Sequence, residues 1–386
     1  MKILHICLNG SYTDGFDYQD NLLSKYHKRI IEEVILLAPQ WSHGNKGKLT
    51  RNEQTNYINA DGVKVIRVPQ INNEKDVNYK FKRYENFYGL LEQISPDIIF
   101  LHNLQMLDSL KIVKYIRKNP QIKLYVDNHA DFSNSATNFL SKNILHKLLW
   151  RFCAQKLIPY VDKFYGVMPA RVDFLNNIYG IPKEKTDLLV MGADDECVER
   201  AKKPEVKERI RKQFGITKDD FLIVTGGKID AFKTQTLLLM EAVQNIKSDK
   251  IKLLVFGSVD ENLKERLLEL SDGKKVQYIG WAKGEQPYEY FASADLVVFP
   301  GRHSVYWEQV VAQGIPMLCK YWDGTTHVDI GGNVEFLYKD STEEIQGKLE
   351  ELLNNPEKFG QMKDAANGKG KEEFSYARIA RKSIGL

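Results

Sequence analysis

The sequence predicts an α/β fold made of two Rossmann-like, doubly wound domains that face each other across a cleft. The chain has 386 residues, which is too long for one ordinary hydrophobic core and typical of two domains of similar size. Apolar runs of strand length alternate with amphipathic segments of helix length along the whole chain. This alternation indicates helical crossovers between parallel strands.

The same alternation places the individual elements. In the first half the predicted strands are 2–8, 34–38, 63–68, 98–102, 122–127 and 164–167, and the predicted helices are 18–31, 79–94, 107–117, 143–156 and 170–179. In the second half the predicted strands are 221–225, 251–256, 276–279, 296–299 and 317–319, and the predicted helices are 233–244, 262–270, 288–291, 306–313, 343–353 and 372–382. The charged stretch 194–211 between the two series is typical of an interdomain linker. It predicts an N-terminal domain at 1–195 and a C-terminal domain at 196–370.

The composition, with 43% apolar and 27% charged residues, is that of a soluble globular protein. No apolar run approaches the roughly 18 residues of a spanning helix, and the N-terminus lacks the layout of a signal peptide. The four cysteines are scattered without the spacing of metal ligands. These features predict a cytoplasmic protein. The net charge of +4 is mild and no nucleic-acid motif is visible, so we expect no nucleic-acid partner.

The loop after the first predicted strand is rich in glycine and polar residues. It includes Gly10, Tyr12 and Asp14 and opens a predicted helix. Backbone N–H groups at a helix start bind anions without a basic side chain. The glycines do not match the pattern G-x-G-x-x-G, so NAD binding is not indicated. The alternative is an ordinary surface turn.

Polar residues also follow two later strands of the first half. Asp127-Asn-His129 comes after the fifth strand, and His102-Asn103 after the fourth. Polar groups at a strand's carboxyl end suit a site better than a core, and a histidine there can donate to a hydroxyl or stabilise developing charge. The alternative is that His129 and Asp127 pair only to stabilise the loop.

In the second half, two glycines and two lysines follow a strand. The residues are Gly226, Gly227, Lys228 and Lys233. Glycines permit a close approach of a diphosphate and ammonium groups neutralise its charge, while the spacing excludes a P-loop. A solvated basic turn is the alternative. It is disfavoured because Lys233 is expected in the first turn of a helix, where a bare cation opposes the helix dipole.

The stretch 299–319 predicts a strand, a polar loop, a short helix and a second strand. Its loop lies at the carboxyl end of a strand, where open α/β sheets bind ligands. Glu308 on the short helix could accept hydrogen bonds from both hydroxyls of a ribose. Main-chain N–H groups of Ser304, Val305 and Tyr306 could bind an anion. The alternative is that Glu308 is a buried ion-pair partner.

Residues 138–157 are apolar with four interspersed cations, Lys142, Lys147, Arg151 and Lys156. A basic amphipathic helix of this kind can lie on an anionic membrane or meet a lipid-linked acceptor. The commoner interpretation is a helix that covers the sheet and leaves its charges in water.

In this order, these elements resemble the GT-B glycosyltransferases, specifically the retaining family 4 type (glycosyl transferases group 1), over nearly the whole chain. Further matching segments are Gly192-Ala-Asp194, Gly280-Trp281-Ala282 and the Gly314-Ile-Pro316 that ends the Glu308 helix. The resemblance implies an acceptor-binding N-terminal domain, a donor-binding C-terminal domain, and a last helix at 371–386 that crosses back.

The resemblance also implies roles for individual residues. The implied donor contacts are Gly10, Gly226, Gly227, Lys228, Lys233, Trp281, Ala282, His303, Ser304, Val305, Tyr306 and Glu308. The implied acceptor contacts are Tyr12, Asp14, His102 and Asn103. In catalysis His129 would meet the transferred sugar, and Lys228 and Lys233 would neutralise the leaving diphosphate. No cofactor and no metal is required.

Two positions depart from the family's pattern. Lys228 stands where arginine is expected, and a lysine cannot fork onto two oxygens. The Glu-x7-Glu pair is incomplete, because Pro300 occupies the position eight residues before Glu308. Arg302, His303 or Ser304 would then replace the missing contact to the donor sugar.

The predicted function is therefore transfer of a sugar, with retention, from a nucleotide sugar to a saccharide or lipid-linked acceptor. UDP is the favoured nucleotide, and bacterial polysaccharide or glycoconjugate synthesis the expected setting. The expected location is the cytoplasm, with peripheral contact to the inner face of the membrane. The alternatives are a GT-B nucleotide-sugar epimerase, a sugar-nucleotide-binding protein with decayed catalysis, and an inverting transferase.

Overall fold

The structure, a computed structural model, describes residues 1–43, 49–71 and 81–386. The chain forms two compact units. The first comprises Met1–Val190 together with Ile379–Leu386, and the second comprises Met191–Arg378.

The first unit is built on an eight-stranded sheet with the order β10-β9-β8-β7-β1-β2-β6-β5. All its pairings are parallel except that of β5 with β6. A separate antiparallel pair is formed by β3 and β4. The strands are β1 (Lys2–Ile6), β2 (Glu33–Pro39), β3 (Trp41–His43), β4 (Leu49–Arg51), β5 (Asn56–Ile58), β6 (Lys64–Val68), β7 (Ile98–His102), β8 (Lys123–Asn128), β9 (Lys163–Gly166) and β10 (Thr186–Leu188).

Helices connect these strands. They are α1 (Gln19–Lys28), α2 (Phe87–Ile94), α3 (Ser109–Lys118), α4 (Arg151–Leu157) and α5 (Pro169–Tyr179). A segment with π-helical hydrogen bonding, Ser141–Trp150, runs directly into α4, and a 3-10 turn, Lys183–Lys185, precedes β10.

The second unit has a six-stranded, fully parallel sheet with the order β13-β12-β11-β14-β15-β16. The strands are β11 (Phe221–Gly226), β12 (Ile251–Phe256), β13 (Val276–Tyr278), β14 (Leu296–Phe299), β15 (Met317–Lys320) and β16 (Val334–Leu337). In chain order this is the arrangement 3-2-1-4-5-6 of a doubly wound fold, whose winding reverses between the first and fourth strands. Here that switch point lies between β11 and β14.

The helices beyond Val190 are α6 (Asp195–Ala201), α7 (Pro204–Gln213), α8 (Gln235–Asn245), α9 (Glu261–Glu269), α10 (Gln286–Ser293), α11 (Tyr306–Ala312), α12 (Thr342–Asn354), α13 (Pro356–Asn367) and α14 (Tyr376–Ser383). Two 3-10 segments, Thr326–Val328 and Lys369–Phe374, complete the chain. The last residues of α14 belong to the first unit.

Each unit has its own hydrophobic core. Every residue of β7 and of β14 is buried, as expected for parallel strands that are covered on both faces. Within each sheet the parallel strands end at the same edge. The loops that follow these strands therefore gather at that edge.

The charged stretch predicted as a linker is helical. It forms α6 and α7, and the two units divide earlier, between Val190 and Met191. Each helix buries a narrow face, which includes Cys197, Ala201 and Ile210. Short amphipathic helices with so few apolar residues have the composition of a linker, and only their packing distinguishes them.

Other bounds also differ from the prediction. The helix predicted at 79–94 begins at Phe87, because Lys82 and Asn86 have positive φ angles of 51° and 47°; residues 79 and 80 lie outside the described residues. The helix predicted at 372–382 begins at Tyr376, after a 3-10 segment. Strand β16 and helix α13 have no counterpart in the prediction.

Candidate functional site

A pocket opens at the switch point of the second unit's sheet. Residues 225–229, which follow β11, form one side, and residues 299–302 with Ser304, which follow β14, form the other. Lys233, Thr236 and Phe256 complete its lining. The two loops that the sequence predicts as ligand-binding loops of this domain therefore lie at one pocket.

Glycines allow the backbones to approach closely behind this pocket. A Cβ on Gly226 would lie 2.2 Å from the ring of Phe256. A Cβ on Gly257 would lie 1.8 Å from the carbonyl oxygen of Gly227, and Gly257 has a φ of 132° that side chains rarely adopt. The loop that carries Lys228 is thus held directly against the loop after β12.

Three cations surround the pocket. Lys228 has a side chain that is 60% exposed, with its Nζ 3.1 Å from Asp230 Oδ2. Arg302 is exposed and its guanidinium lies 4.8 Å from the ring centre of Phe232. Burial lowers the pKa of Lys233, and the neighbouring charges of Arg302 and Lys228 lower it further against the opposing effect of Asp230. Lys233 makes no ion pair with any described residue. A bound anion would stabilise its charge.

The sequence predicts Lys233 in the first turn of the following helix, but in the structure Lys233 precedes that helix. Helix α8 begins at Gln235 with Thr234 as its N-cap. The backbone N–H of Phe232 donates to Asp230 Oδ1 at 2.9 Å, and the N–H of Lys233 donates to the carbonyl of Asp230 at 2.9 Å. This aspartate-centred turn delays the helix and leaves Lys233 at the pocket wall.

Glu308 is fully buried on α11 and holds two histidines. Its Oε1 accepts from His303 Nε2 at 2.8 Å and from His327 Nε2 at 2.9 Å. Burial opposes its ionisation, but the two imidazoles outweigh burial and hold the pKa of Glu308 well below its usual range. Its Oε2 is buried and has no hydrogen-bond partner among the described residues. The two histidines therefore satisfy one oxygen of the carboxylate and leave the other buried without a donor among the described residues.

His327 is a residue that the sequence prediction lacks. It lies in the 3-10 segment Thr326–Val328, in the loop after β15. The rule that polar residues after parallel strands gather at one edge would have pointed to it. The sequence gives no sign, however, that this loop reaches Glu308.

The remaining donor contacts predicted for this unit lie near the same edge. Ser304 and Val305 lead into the first turn of α11, which begins at Tyr306. Trp281, which is 64% exposed, and the buried Ala282 follow Gly280, whose carbonyl accepts from the N–H of Gly257 at 2.8 Å. The loop after β13 is thereby tied to the glycine contact behind the pocket.

In the first unit, the polar groups after β7 and β8 form one cluster. His129 Nε2 lies 3.3 Å from Asp127 Oδ2, within ion-pair distance but not aligned as a hydrogen bond. Asn103 links the two loops: its Oδ1 accepts from the N–H of His129 at 2.8 Å, and its N–H donates to Asp127 Oδ1 at 2.8 Å. The side chain of His129 is 25% exposed. Of this cluster, His129 is available to a ligand.

Two of the predicted acceptor contacts, His102 and Tyr12, have buried side chains in this structure. His102 is 1% exposed, and its ring nitrogens contact Asp127 and His5. Tyr12 is 2% exposed, with its hydroxyl 3.4 Å from Asn59 Nδ2. Asp14 and Gly10 remain accessible on the loop after β1, where Asp14 accepts from the Tyr57 hydroxyl at 2.5 Å.

Two groups of side chains have potential metal-ligand atoms within 4.8 Å of one another among the described residues. One is His303, Glu308 and His327, and the other includes His102 and Asp20. Within the first group, His303 Nε2 and His327 Nε2 both lie at hydrogen-bond distance from Glu308 Oε1.

The stretch predicted as a basic amphipathic helix exposes an apolar stripe, which we define as Phe139, Leu140, Ile144, Leu148 and Phe152. From Leu140 onward its members recur every four residues, and Leu140 and Leu148 are 63% and 65% exposed. Lys147, Arg151 and Lys156 are exposed alongside it. No helix within the described ranges has the length and apolar character needed to cross a bilayer.

Comparison with known proteins gives consistent matches. Residues 206–369 match the family model described as glycosyl transferases group 1. An uncharacterised glycosyltransferase of Methanocaldococcus jannaschii is 20% identical over 345 residues, covering 86% of this chain and 85% of that protein. A solved glycosyltransferase of Rickettsia africae has a TM-score of 0.69 at 14% identity, covering 100% of this chain and 97% of the other. HepE of Anabaena, solved in complex with UDP, has a TM-score of 0.69 at 14% identity, covering 99% and 98%.

Proposed function

We propose that this chain, a glycosyltransferase of the GT-B fold, transfers a sugar from a nucleoside diphosphate sugar to a saccharide or lipid-linked acceptor. The family match and the fold of the similar structures confirm the predicted fold and enzyme class. The observation that carries the proposal is the cationic pocket at the switch point of the second unit's sheet. UDP is the proposed nucleotide, supported by the HepE complex, and synthesis of a polysaccharide or glycoconjugate is the proposed setting.

The diphosphate would lie against Lys233, Lys228 and Arg302. Lys233 is the strongest candidate, because it is partly buried, faces the pocket and makes no ion pair with a described residue. Charge-assisted contacts to phosphate oxygens are roughly twice as strong as neutral ones. These cations would neutralise the leaving diphosphate, so we propose that transfer requires no metal.

The ribose would be bound by the free oxygen of Glu308. Because His303 and His327 both donate to Oε1, the carboxylate is held in one orientation and stays ionised. Its Oε2 can then accept from ribose hydroxyls. This arrangement supports the ribose role that the sequence suggests, and the alternative of a buried ion pair accounts for only one of the two oxygens.

The donor sugar would meet the loop before α11. His303 is committed to Glu308, whereas Arg302 and Ser304 line the pocket. We propose that Arg302 and Ser304 take the place of the acidic contact that Pro300 removes. His129 in the first unit would contact the transferred sugar. In a transfer with retention the leaving phosphate can accept the proton of the acceptor hydroxyl, so no separate general base is needed.

A thermal-shift panel of nucleoside diphosphates and nucleotide sugars tests the donor proposal. A ligand present at 100 times its Kd stabilises the folded state by about 2.7 kcal/mol, so UDP and one UDP-sugar should raise the melting temperature more than GDP or ADP. A panel without any shift would contradict the donor site. The anomeric configuration of the product, read by NMR, then decides between retention and inversion.

Replacing Glu308 with glutamine should weaken UDP binding by about 1.5–3 kcal/mol, because a hydrogen bond to a charged acceptor is lost. Glutamine keeps the shape of the side chain and an oxygen for the two histidines. The matched ligand is 2′,3′-dideoxy-UDP, for which the wild type and Glu308→Gln should have similar Kd values in calorimetry. An equal loss of affinity for both nucleotides would show that Glu308 does not bind the ribose hydroxyls.

The apolar stripe is proposed as a peripheral membrane contact that brings the enzyme to a lipid-linked acceptor. Exposed apolar side chains beside lysine and arginine fit the boundary between anionic head groups and acyl chains. The cations Lys142 and Lys156 lie 4.9 and 5.4 Å from the ring centres of Phe132 and Phe152. These contacts leave both the rings and the charges at the surface.

Replacing both Leu140 and Leu148 with glutamate should reduce binding to vesicles that contain phosphatidylglycerol by at least about tenfold. Each leucine loses roughly 1.5–3 kcal/mol of burial, and each glutamate repels the anionic surface. The matched control is Leu268→Glu, which alters a 53% exposed leucine on α9. Co-sedimentation measures both, and equal binding of the double variant and wild type would exclude this surface.

A further inference from the structure

Three buried histidines of the first unit form a continuous chain between Asp127 and the C-terminal segment, Ile379–Leu386. His102 Nδ1 lies 3.0 Å from Asp127 Oδ2, and His102 Nε2 lies 3.0 Å from His5 Nδ1. His5 Nε2 lies 2.9 Å from His27 Nδ1, and His27 Nε2 lies 2.9 Å from the carbonyl oxygen of Ala380. None of the three imidazoles is more than 1% exposed.

The chain needs more protons than three neutral imidazoles supply. Both ends, a carboxylate and a backbone carbonyl, are acceptors, so each of the four contacts requires an N–H. A neutral imidazole carries one N–H, and an imidazolium carries two. We propose that the chain holds one additional proton on His102 and that this proton fastens the C-terminal segment to the first unit.

The charges around His102 explain why the proton rests there. Asp127 faces it from β8, Asp20 approaches within 3.4 Å from α1, and Cys7, directly after β1, lies beside it. Burial opposes the charged imidazole, but Asp127 and Asp20 outweigh burial and raise the pKa of His102. Burial raises the pKa of the Cys7 thiol, which therefore stays neutral.

The other two histidines are neutral in this arrangement. Burial and the charge of His102 lower the pKa of His27 to about 4, against the opposing effect of Ala380. Burial, followed by the charges of His27 and His102, lowers the pKa of His5. With His102 doubly protonated, His5 and His27 must both be Nε2–H tautomers. The last of these N–H groups then donates to Ala380.

Loss of the proton from His102 would leave one of the four contacts without a hydrogen, and tautomer changes at His5 and His27 would move that gap along the chain to the C-terminal segment. Three N–H groups would remain for four contacts. The Ser383 hydroxyl lies 3.1 Å from His27 Nε2 and 2.8 Å from the Ala380 carbonyl, and its single hydrogen can satisfy only one of them. A tautomer of His27 that donates to His5 would leave two acceptors, Nε2 and the carbonyl oxygen, facing each other at 2.9 Å.

The sign of the pH dependence follows. Because the pKa of His102 is raised in the folded state, its contribution to stability is complete below the unfolded value of about 6.5. It is lost as the pH rises through the folded pKa. Asp127 Oδ2 contacts both His102 and His129, so the proton on His102 also affects the net charge beside His129. That last link rests on the proposed function, whereas the proton chain does not.

The direct test is NMR of the wild-type protein with 15N in its histidine rings. At pH 6, below the unfolded pKa of a histidine, His102 should be doubly protonated, while His5 and His27 should be Nε2–H tautomers. A singly protonated His102 at pH 6 would overturn the proposal, as would an Nδ1–H tautomer at His27. The measurement needs no substrate, so its outcome is independent of whether UDP binds.

Two substitutions of His27 provide a matched pair. In His27→Gln the amide can accept from His5 and donate to Ala380, so His102 should keep its proton. In His27→Leu the contact is lost, and His102 should titrate about one to two pH units lower. An unchanged His102 titration in folded His27→Leu would overturn the proposal.

Hydrogen exchange supplies a readout that needs no variant. After correction for the intrinsic effect of pH, the amides of Ile379–Leu386 should lose protection as the pH rises through the His102 titration. Those of α12 in the second unit should not. Parallel pH profiles for both segments would contradict a role of the proton in fastening the C-terminus.

Discussion

Replacing Lys233 with alanine is expected to weaken the binding of UDP by about 1.5–3 kcal/mol, which is roughly 10- to 150-fold in Kd. The side chain faces the pocket at the switch point and is partly buried. With no carboxylate paired to it among the described residues, its charge is available to a diphosphate. Calorimetry at two salt concentrations measures the effect, which should shrink as screening increases.

Lys228→Ala is the matched control for this change. It removes the same charge from the same pocket, but Lys228 is 60% exposed and ion-paired with Asp230. Solvent screens the charge of an exposed lysine, so the loss should be smaller than for Lys233→Ala. Equal losses would mean that burial does not determine how much each lysine contributes to UDP affinity. Unchanged UDP affinity in Lys233→Ala would exclude Lys233 from the site.

Replacing Gly257 with alanine is expected to lower the free energy of unfolding of the second unit by about 2–5 kcal/mol, since it combines steric overlap with a strained backbone. The new Cβ would lie 1.8 Å from the carbonyl of Gly227, which is backbone and cannot rotate away. The loop that carries Lys228 must then move, so UDP affinity should fall as well. Hydrogen exchange of the amides in β11 and β12 reports on the stability of this unit.

Gly347→Ala tests whether the effect is specific to the site. Gly347 is exposed on α12, and a Cβ there would meet no atom within 4 Å. Alanine in such a helix position should stabilise the protein by roughly 0.5–1 kcal/mol. If Gly257→Ala instead had the stability and UDP affinity of the wild type, the loops after β11 and β12 would not be in contact.

Much of the fold follows from local patterns. The strands β7 and β14 have the predicted bounds, because a buried parallel strand is a short, continuous apolar run that can be recognised without its neighbours. The prediction fails where the apolar pattern is thin. Helices α6 and α7 are rich in charged residues and become recognisable only through the few side chains that they bury.

The sequence predicted which loops form the candidate site, but not which of their side chains are exposed. Residues after β11 and β14 were expected to bind a donor, because carboxyl ends of parallel strands converge, and both line the pocket. Which side chains are exposed within such loops depends on packing. His102 ends β7 and Tyr12 lies in the loop after β1, as polar site residues do, yet both side chains are buried.

The sequence by itself determined the two doubly wound sheets and the edge of each at which polar loops gather, because the period of hydrophobic residues is a local property of the chain. Only the tertiary structure decided which distant groups meet. His327 reaches Glu308 from another loop, and His27 reaches the carbonyl of Ala380 across 353 residues. Contacts of this kind leave no local signal, because they arise only when separate elements pack together.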